Sequence, residues 1–411
     1  MTHGRLALVA AGLLVAVAVA AAAQPPPRAT TVPDPVATLV SRLDLASYKA
    51  TIKALTQFGD RREGTDRNRA AVDWIDAQLR RYGCATERLV YELRAAEPAA
   101  VPQPPPSLAA PTPPAGALMP PSTLSVGGGR PRGVRVSTTP NTDPANQPDA
   151  RLRALNTQGP EPGRRDEVYC TKVGASRPDE MYIVGAHMDG RGFGEAANDN
   201  GSGTALVMEL ARIFSAPDVR TERSIRFILW NNEETGLAGS ASYVAQRRDR
   251  QGVEDPPGSG RYPEPRWLGM IQHDMMLFDH GAPRADGTVS REQRAEADVN
   301  IEFQADSQRQ AESAALAWVL QRANDKYATD YPAVVGRHMT NTDSSSFMDL
   351  VPSVSVRENE RGPQIGNGWD PQWHQPTDLF ATYNDADFRL GLNAAQTTLA
   401  AVAELATASV R

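Results

Sequence analysis

Three continuous apolar runs constrain this chain more than anything else in it: "MYIVGA" ending at Ala186, "SIRFILW" ending at Trp230 and "WLGMIQ" ending at Gln272. Each is short, and apolar at successive rather than alternate positions. Strands covered on both faces of a mainly parallel sheet read this way. Helical patterns lie between and after them, among them "TALVMELARIF", "GSASYVAQRR", "SQRQAESAALAWVLQRAN" and "DADFRLGLNAAQTTLAAVAEL". The alternation predicts an α/β fold with a mainly parallel, mixed central sheet and helices on both faces. On such sheets ligands collect at the carboxyl ends of the strands.

That edge is where the chemistry concentrates. His187 and Asp189 follow the first run, Glu233 and Glu234 the second, and Asp274 the third. Asp199, in "NDNGSG", stands just before the helix that begins near Ser202, where its loop can fold back over the same edge. His374, in "WHQPTD", stands before the last helix. Taken singly, each has an ordinary reading: a lone His is a core residue, a lone Asp a helix cap, two Glu a solvated pair. Convergence of five groups on one edge is what changes the reading. Imidazoles and carboxylates without a thiolate suit zinc in a hydrolytic site that keeps one position open for water. The spacings are irregular, so the residues alone point to a metal site and leave the reaction open.

Other chemistries are poorly served. "GGGRPRG" and "GRGFG" lack the strand, helix and Lys of a phosphate cradle, and no G-x-S-x-G nucleophile elbow occurs. A net charge of -6 in 411 residues leaves no electrostatic footprint for nucleic acid.

The termini and linkers carry their own signals. Arg5 precedes an 18-residue apolar run, Leu6 to Ala23, with Ala21 and Ala23 as a small-x-small cleavage site. Residues 1–23 read as a signal peptide, against the alternative of an uncleaved anchor, since about 20 residues span a membrane. Export would make the protein secreted or periplasmic, with no membrane attachment after cleavage. An oxidising compartment makes Cys84 and Cys170 candidates for one disulfide, with two buried thiols the alternative. Residues 24–35 read as a Pro-rich linker and 36–411 as the catalytic domain. Between Val36 and Arg81 apolar positions recur at helical spacing; Ala71, Trp74, Ile75 and Leu79 share a face, and Gly83 supplies the stop. Residues 97–165, with Pro in runs and little apolar periodicity, read as a mostly disordered insertion.

The motifs "GAHMDG", "ANDNGSG", "NNEETGLAGS", "HDMM" and "WHQPTD", in this order and at these spacings, resemble the zinc exopeptidase family of bacterial leucyl aminopeptidase, aminopeptidase Y and glutamate carboxypeptidase. The resemblance covers residues 166 to 405 well and 40 to 95 weakly. It implies two zinc ions: Asp199 bridging, His187 and Asp274 completing one site, Glu234 and His374 the other. Glu233 would be the general base toward a metal-bridged water, and Asp189 a carboxylate holding the His187 ring in its ligating tautomer. The implied activity is that of an aminopeptidase acting on peptides with a free N-terminus. A carboxypeptidase or dipeptidase on the same site is the alternative, and a glutaminyl cyclase or an inactive binding module stands further off. An anionic substrate would call for an Arg near the pocket, with Arg337 and Arg357 as candidates. In "TNTDSSSF", Thr342, Asp343 and Phe347 fit the family, whereas Ser344 replaces a His or Tyr, which leaves the pocket's preference open. His338 is a candidate oxyanion donor or a structural residue, and His273 is left without a role.

Overall fold

A computed structural model describes Met1 and residues 34–93, 140–278, 299–337, 342–358 and 370–411. The signal-peptide reading, most of the linker, the first part of the insertion and His338 lie outside the described residues. Residues 34–411 form one compact unit.

The leading segment breaks into three helices, α1 (Pro35–Val40), α2 (Leu45–Leu55) and α3 (Asp66–Arg81). Asp34 caps α1 by accepting from the Val36 and Ala37 amides, and Pro35 occupies its first turn, so Pro35 belongs to the domain rather than to the linker. Thr65 caps α3, and Gly83, with φ of 81°, ends it as its position in the sequence predicts.

Two antiparallel strands follow at one side, β1 (Thr86–Leu93) and β2 (Gly163–Lys172), with Thr86 opposite Cys170. This register brings Cys84, just before β1, onto Cys170. The two are disulfide-bonded with Cα atoms 5.8 Å apart. Of the two cysteine readings, the bonded one is the one observed. A cross-link spanning 86 residues stabilises a domain by about 2–5 kcal/mol.

Between those strands lies α4 (Ala150–Leu155), and here the structure adds to the sequence reading. Residues 140–165, the last part of the insertion, are ordered. The reason is polar rather than apolar: the buried amides of Gln147 and Asn156 donate to the backbone carbonyls of Phe193, Pro376 and Gly194. A hydrophobic-periodicity argument has no access to such anchors.

The rest alternates as predicted: β3 (Arg177–His187), α5 (Gly203–Phe214), β4 (Val219–Arg220), β5 (Arg223–Trp230), α6 (Ala238–Arg247), β6 (Arg266–His273), β7 (Val299–Glu302), α7 (Gln310–Tyr327), β8 (Ala333–Gly336), β9 (Ser353–Arg357), α8 (Asp385–Leu405) and β10 (Ser409–Val410). The main sheet runs β1-β2-β5-β3-β6-β9-β7-β8, while β10 pairs with β4. The β5, β3, β6 and β9 strands are mutually parallel, and antiparallel pairing of β2 to β5 and β7 to β9 makes the sheet mixed.

Side chains alternate across this sheet. Val184, Ala186, Phe227 and Leu229 face the large cluster made with α2, α3, α5, α7 and α8. Ile183, Ile228, Trp230 and Met270 face a smaller cluster with Tyr243 of α6 and Phe347. Both faces are thus covered, as the continuous apolar runs require. No helix among the described residues is long and apolar enough to cross a membrane.

Candidate metal centre

The parallel register sets the site. His187 at the end of β3 lies opposite Trp230 at the end of β5, and Ala186 lies opposite His273 at the end of β6. His187, the Glu233–Glu234 turn and Asp274 therefore emerge at one edge. Asp199 reaches that edge from the turn before α5, and His374 from the loop before α8.

All five predicted ligands meet there. His187 Nε2 stands 3.4 Å from Asp199 Oδ1 and 3.4 Å from Asp274 Oδ1. His374 Nε2 stands 3.0 Å from Asp199 Oδ2 and 2.9 Å from Glu234. In each of the groups His187–Asp199–Asp274 and Asp199–Glu234–His374, the donor atoms lie within 4.8 Å of one another. Metal–ligand bonds to zinc are about 2.0–2.2 Å, so donors around one ion sit within about 4.4 Å, twice that length. The donor set fits zinc, and the imidazole–carboxylate distances of 2.9, 3.0 and 3.4 Å fall inside that span. Asp199 belongs to both groups, with one oxygen toward each imidazole.

The charges agree. Burial disfavours a charged His187 ring, yet Glu233, Asp189, Asp199 and Asp274 hold its pKa well above the ordinary imidazole value. Burial likewise opposes His374, but Glu234 and Asp199 push it up to about 10. Asp199 is held well below the usual carboxylate range against its burial by the two imidazoles. Burial and the adjacent Asp199 charge raise Glu234 to about 7. A pocket that holds this much negative charge retains positive charge in whatever form is available, protons or metal ions.

Glu233 stands beside the ligands without belonging to either group. Its carboxylate comes within 4.8 Å of donor atoms of His187 and Glu234. Burial, with Glu234 and Asp274 acting against His187, holds its pKa well above the carboxylate range. The turn that separates Glu233 from Glu234 depends on Asn232, whose φ of 62° lies in the left-handed region. Met275, after Asp274, and His374 itself share that region at 60° and 53°. Each such residue costs roughly 1–2 kcal/mol, and such costs cluster where function fixes the backbone.

Asp189 acts on the His187 ring, as expected, and has a second task beside it. The His187 ring donates from Nδ1 to the Asp189 backbone carbonyl at 3.0 Å, while the Asp189 carboxylate lies 3.7 Å from that nitrogen. The carboxylate also accepts the Glu233 and Glu234 amides at 3.2 and 3.4 Å. One residue thus sets the His187 tautomer by its main chain and the Glu233–Glu234 turn by its side chain. Among the described residues His374 Nδ1 has no acceptor; its ring is stacked on Trp373, with centroids 3.9 Å apart. Gly192 passes so close to His374 that a Cβ there would lie 2.3 Å from the His374 carbonyl carbon, which demands glycine.

Several supports escaped sequence reasoning. Arg61, fully buried, donates to the carbonyls of Gly59, Met188, Glu195 and Ala196 and so fastens the loop between Asp189 and Asp199. The two asparagines beside Asp199 tie it to the Asp274 loop: Asn200 bonds the His273 carbonyl and the Met275 amide, and Asn198 accepts the Met276 and Leu277 amides. Only the density of Asn in "NDN" hinted at this.

Of the Arg candidates, Arg357 is buried and lies 3.0 Å from Asp274 Oδ2, where it can orient that carboxylate, while Arg337 is exposed after β8. His273 is structural: burial lowers it to about 4, and the neutral ring bonds the Gly185 carbonyl and the Thr398 hydroxyl. Ser344 is buried, its carbonyl accepting from Ser353, and Phe347 packs on Trp230 and Trp267.

Comparison with known proteins agrees with this geometry. The model of Peptidase family M28 matches residues 168–398. Aminopeptidase YwaD of Bacillus subtilis is 42% identical over 74 residues, a match covering 18% of this chain and 16% of that protein's length. Two solved structures share the fold: BSAP, a zinc aminopeptidase from Bacillus subtilis, has a TM-score of 0.56 at 14% identity, covering 88% of this chain and 95% of that one. An aminopeptidase from Aneurinibacillus sp. strain AM-1 has a TM-score of 0.55 at 17% identity, covering 92% and 97%. With a family model spanning more than half its residues, the chain belongs to peptidase family M28.

Proposed function

We propose that this protein is an exported exopeptidase with two zinc ions, and that it releases N-terminal residues from peptides. The observation that carries the reading is Asp199, whose two oxygens face His187 and His374 and so make one carboxylate common to two ligand groups. His187 and Asp274 would hold one ion and Glu234 and His374 the other. When bound, such a pair of ions polarises the scissile carbonyl and lowers the pKa of water.

The chain's own residues supply the rest. Glu233, with its raised pKa, takes a proton from the attacking water and returns it to the leaving amine. Asp189 holds Glu233 and Glu234 by their amides, so the base and the ligand keep separate directions. Export is supported by the apolar run at the N-terminus and by the Cys84–Cys170 disulfide, a bond that persists in oxidising compartments.

The test is mass spectrometry of a peptide mixture incubated with zinc-loaded protein, each peptide present with a free and an acetylated N-terminus. Stepwise loss of N-terminal residues from the free forms only, abolished by a chelator, is expected. Trimming from the C-terminus, or none at all, would overturn the reading.

A further inference from the structure

The hexapeptide "WHQPTD" supplies His374, yet its last residue is as well placed as its ligand. Asp378 is 1% exposed. Its Oδ1 accepts the Asn198 amide at 2.8 Å and its Oδ2 the Asp199 amide at 3.0 Å. The Tyr383 hydroxyl donates to Oδ1 at 3.1 Å, and the Asp378 amide closes a turn on the Gln375 carbonyl at 3.1 Å. Asp199 itself has φ of -103° and ψ of 91°, outside helical geometry. No helical carbonyl is therefore in line to accept its amide, and the Asp378 carboxylate takes that role.

We propose that Asp378 is the positioning residue for the shared ligand, clamping the backbone of Asp199 while His374, four residues earlier, provides a ligand of its own. This rests on the dinuclear reading above. The consequence is specific. Asp199 faces both imidazoles, so loosening its backbone weakens both metal positions together. Loss of His374 touches one position directly.

The experiment uses the full mature chain and measures zinc affinity at each position by chelator competition, with the visible absorption of the cobalt-substituted protein as a geometric readout. Partners behind metal ligands are typically worth roughly 10–100-fold in metal affinity. Asp378→Asn is expected to lower affinity at both positions within that range and to alter the cobalt spectrum. Tyr383→Phe, which removes the donor to Asp378 along with a longer contact of 3.5 Å to Asp370 Oδ2, is expected to do the same to a smaller degree, and carries the test if Asp378→Asn does not fold. Asp387→Asn is the control for stability alone. It breaks the α8 capping box, in which Asp387 accepts the Asn384 amide at 2.6 Å, and should leave both affinities and the spectrum unchanged. Wild-type affinities and spectrum in folded Asp378→Asn and in Tyr383→Phe, or a loss confined to the Glu234–His374 position, would overturn the clamp. A wild-type protein that binds one ion only would overturn the dinuclear reading, and the clamp with it.

Discussion

Glu233→Gln is expected to abolish turnover while leaving the metal content and the fold intact. The substitution keeps the volume of the side chain and removes its capacity to accept a proton. Glu233 lies within reach of His187 and Glu234 but outside both groups that share Asp199, so the proposed assignment keeps all five of its ligands in this variant. General bases contribute roughly 10²–10⁴-fold to such reactions, and a loss in kcat of that order is predicted. The measurement is peptide turnover beside zinc content by elemental analysis. Near-normal turnover with full zinc would remove Glu233 from the mechanism.

Asp199→Ala has the opposite signature: both metal positions lose affinity, and activity goes with them. The side chain is common to the two groups, and its carboxylate lies 3.4 Å from one imidazole and 3.0 Å from the other. Residues that merely orient ligands are worth roughly 10–100-fold in affinity, so removal of a shared ligand is expected to exceed about 100-fold. His374→Ala, by contrast, should empty one position first. Full zinc occupancy in Asp199→Ala would contradict the sharing.

Much of this was legible in the sequence because the local signals and the tertiary structure agree. "MYIVGA" is apolar throughout and "SIRFILW" at all but Ser224 and Arg226, the near-continuous pattern of strands buried on two faces. Parallel neighbours place their ends together, so the candidate ligands at the ends of β3, β5 and β6 had to converge. His374 needed the motif as well, since the long loop before α8 carries no periodicity.

What escaped was long-range polar structure. Arg61, Gln147, Asn156 and Asp378 act by bonding backbone groups far away in sequence, and a side-chain amide or carboxylate bonded to a distant carbonyl or amide leaves no pattern. For the same reason residues 140–165 read as part of a mostly disordered insertion: their order comes from buried amides rather than from an apolar stripe. Asp189 was found, but its carbonyl's bond to the His187 ring and its carboxylate's hold on the Glu233 and Glu234 amides were not, since both depend on backbone direction within one turn.

The most direct test of the dinuclear account is anomalous diffraction at the zinc edge from crystals of the zinc-loaded protein. Two peaks are predicted at the edge formed by β3, β5 and β6, one beside His187 and Asp274, the other beside Glu234 and His374, with Asp199 between them. A single peak, or zinc held elsewhere while these side chains keep their mutual contacts, would contradict it.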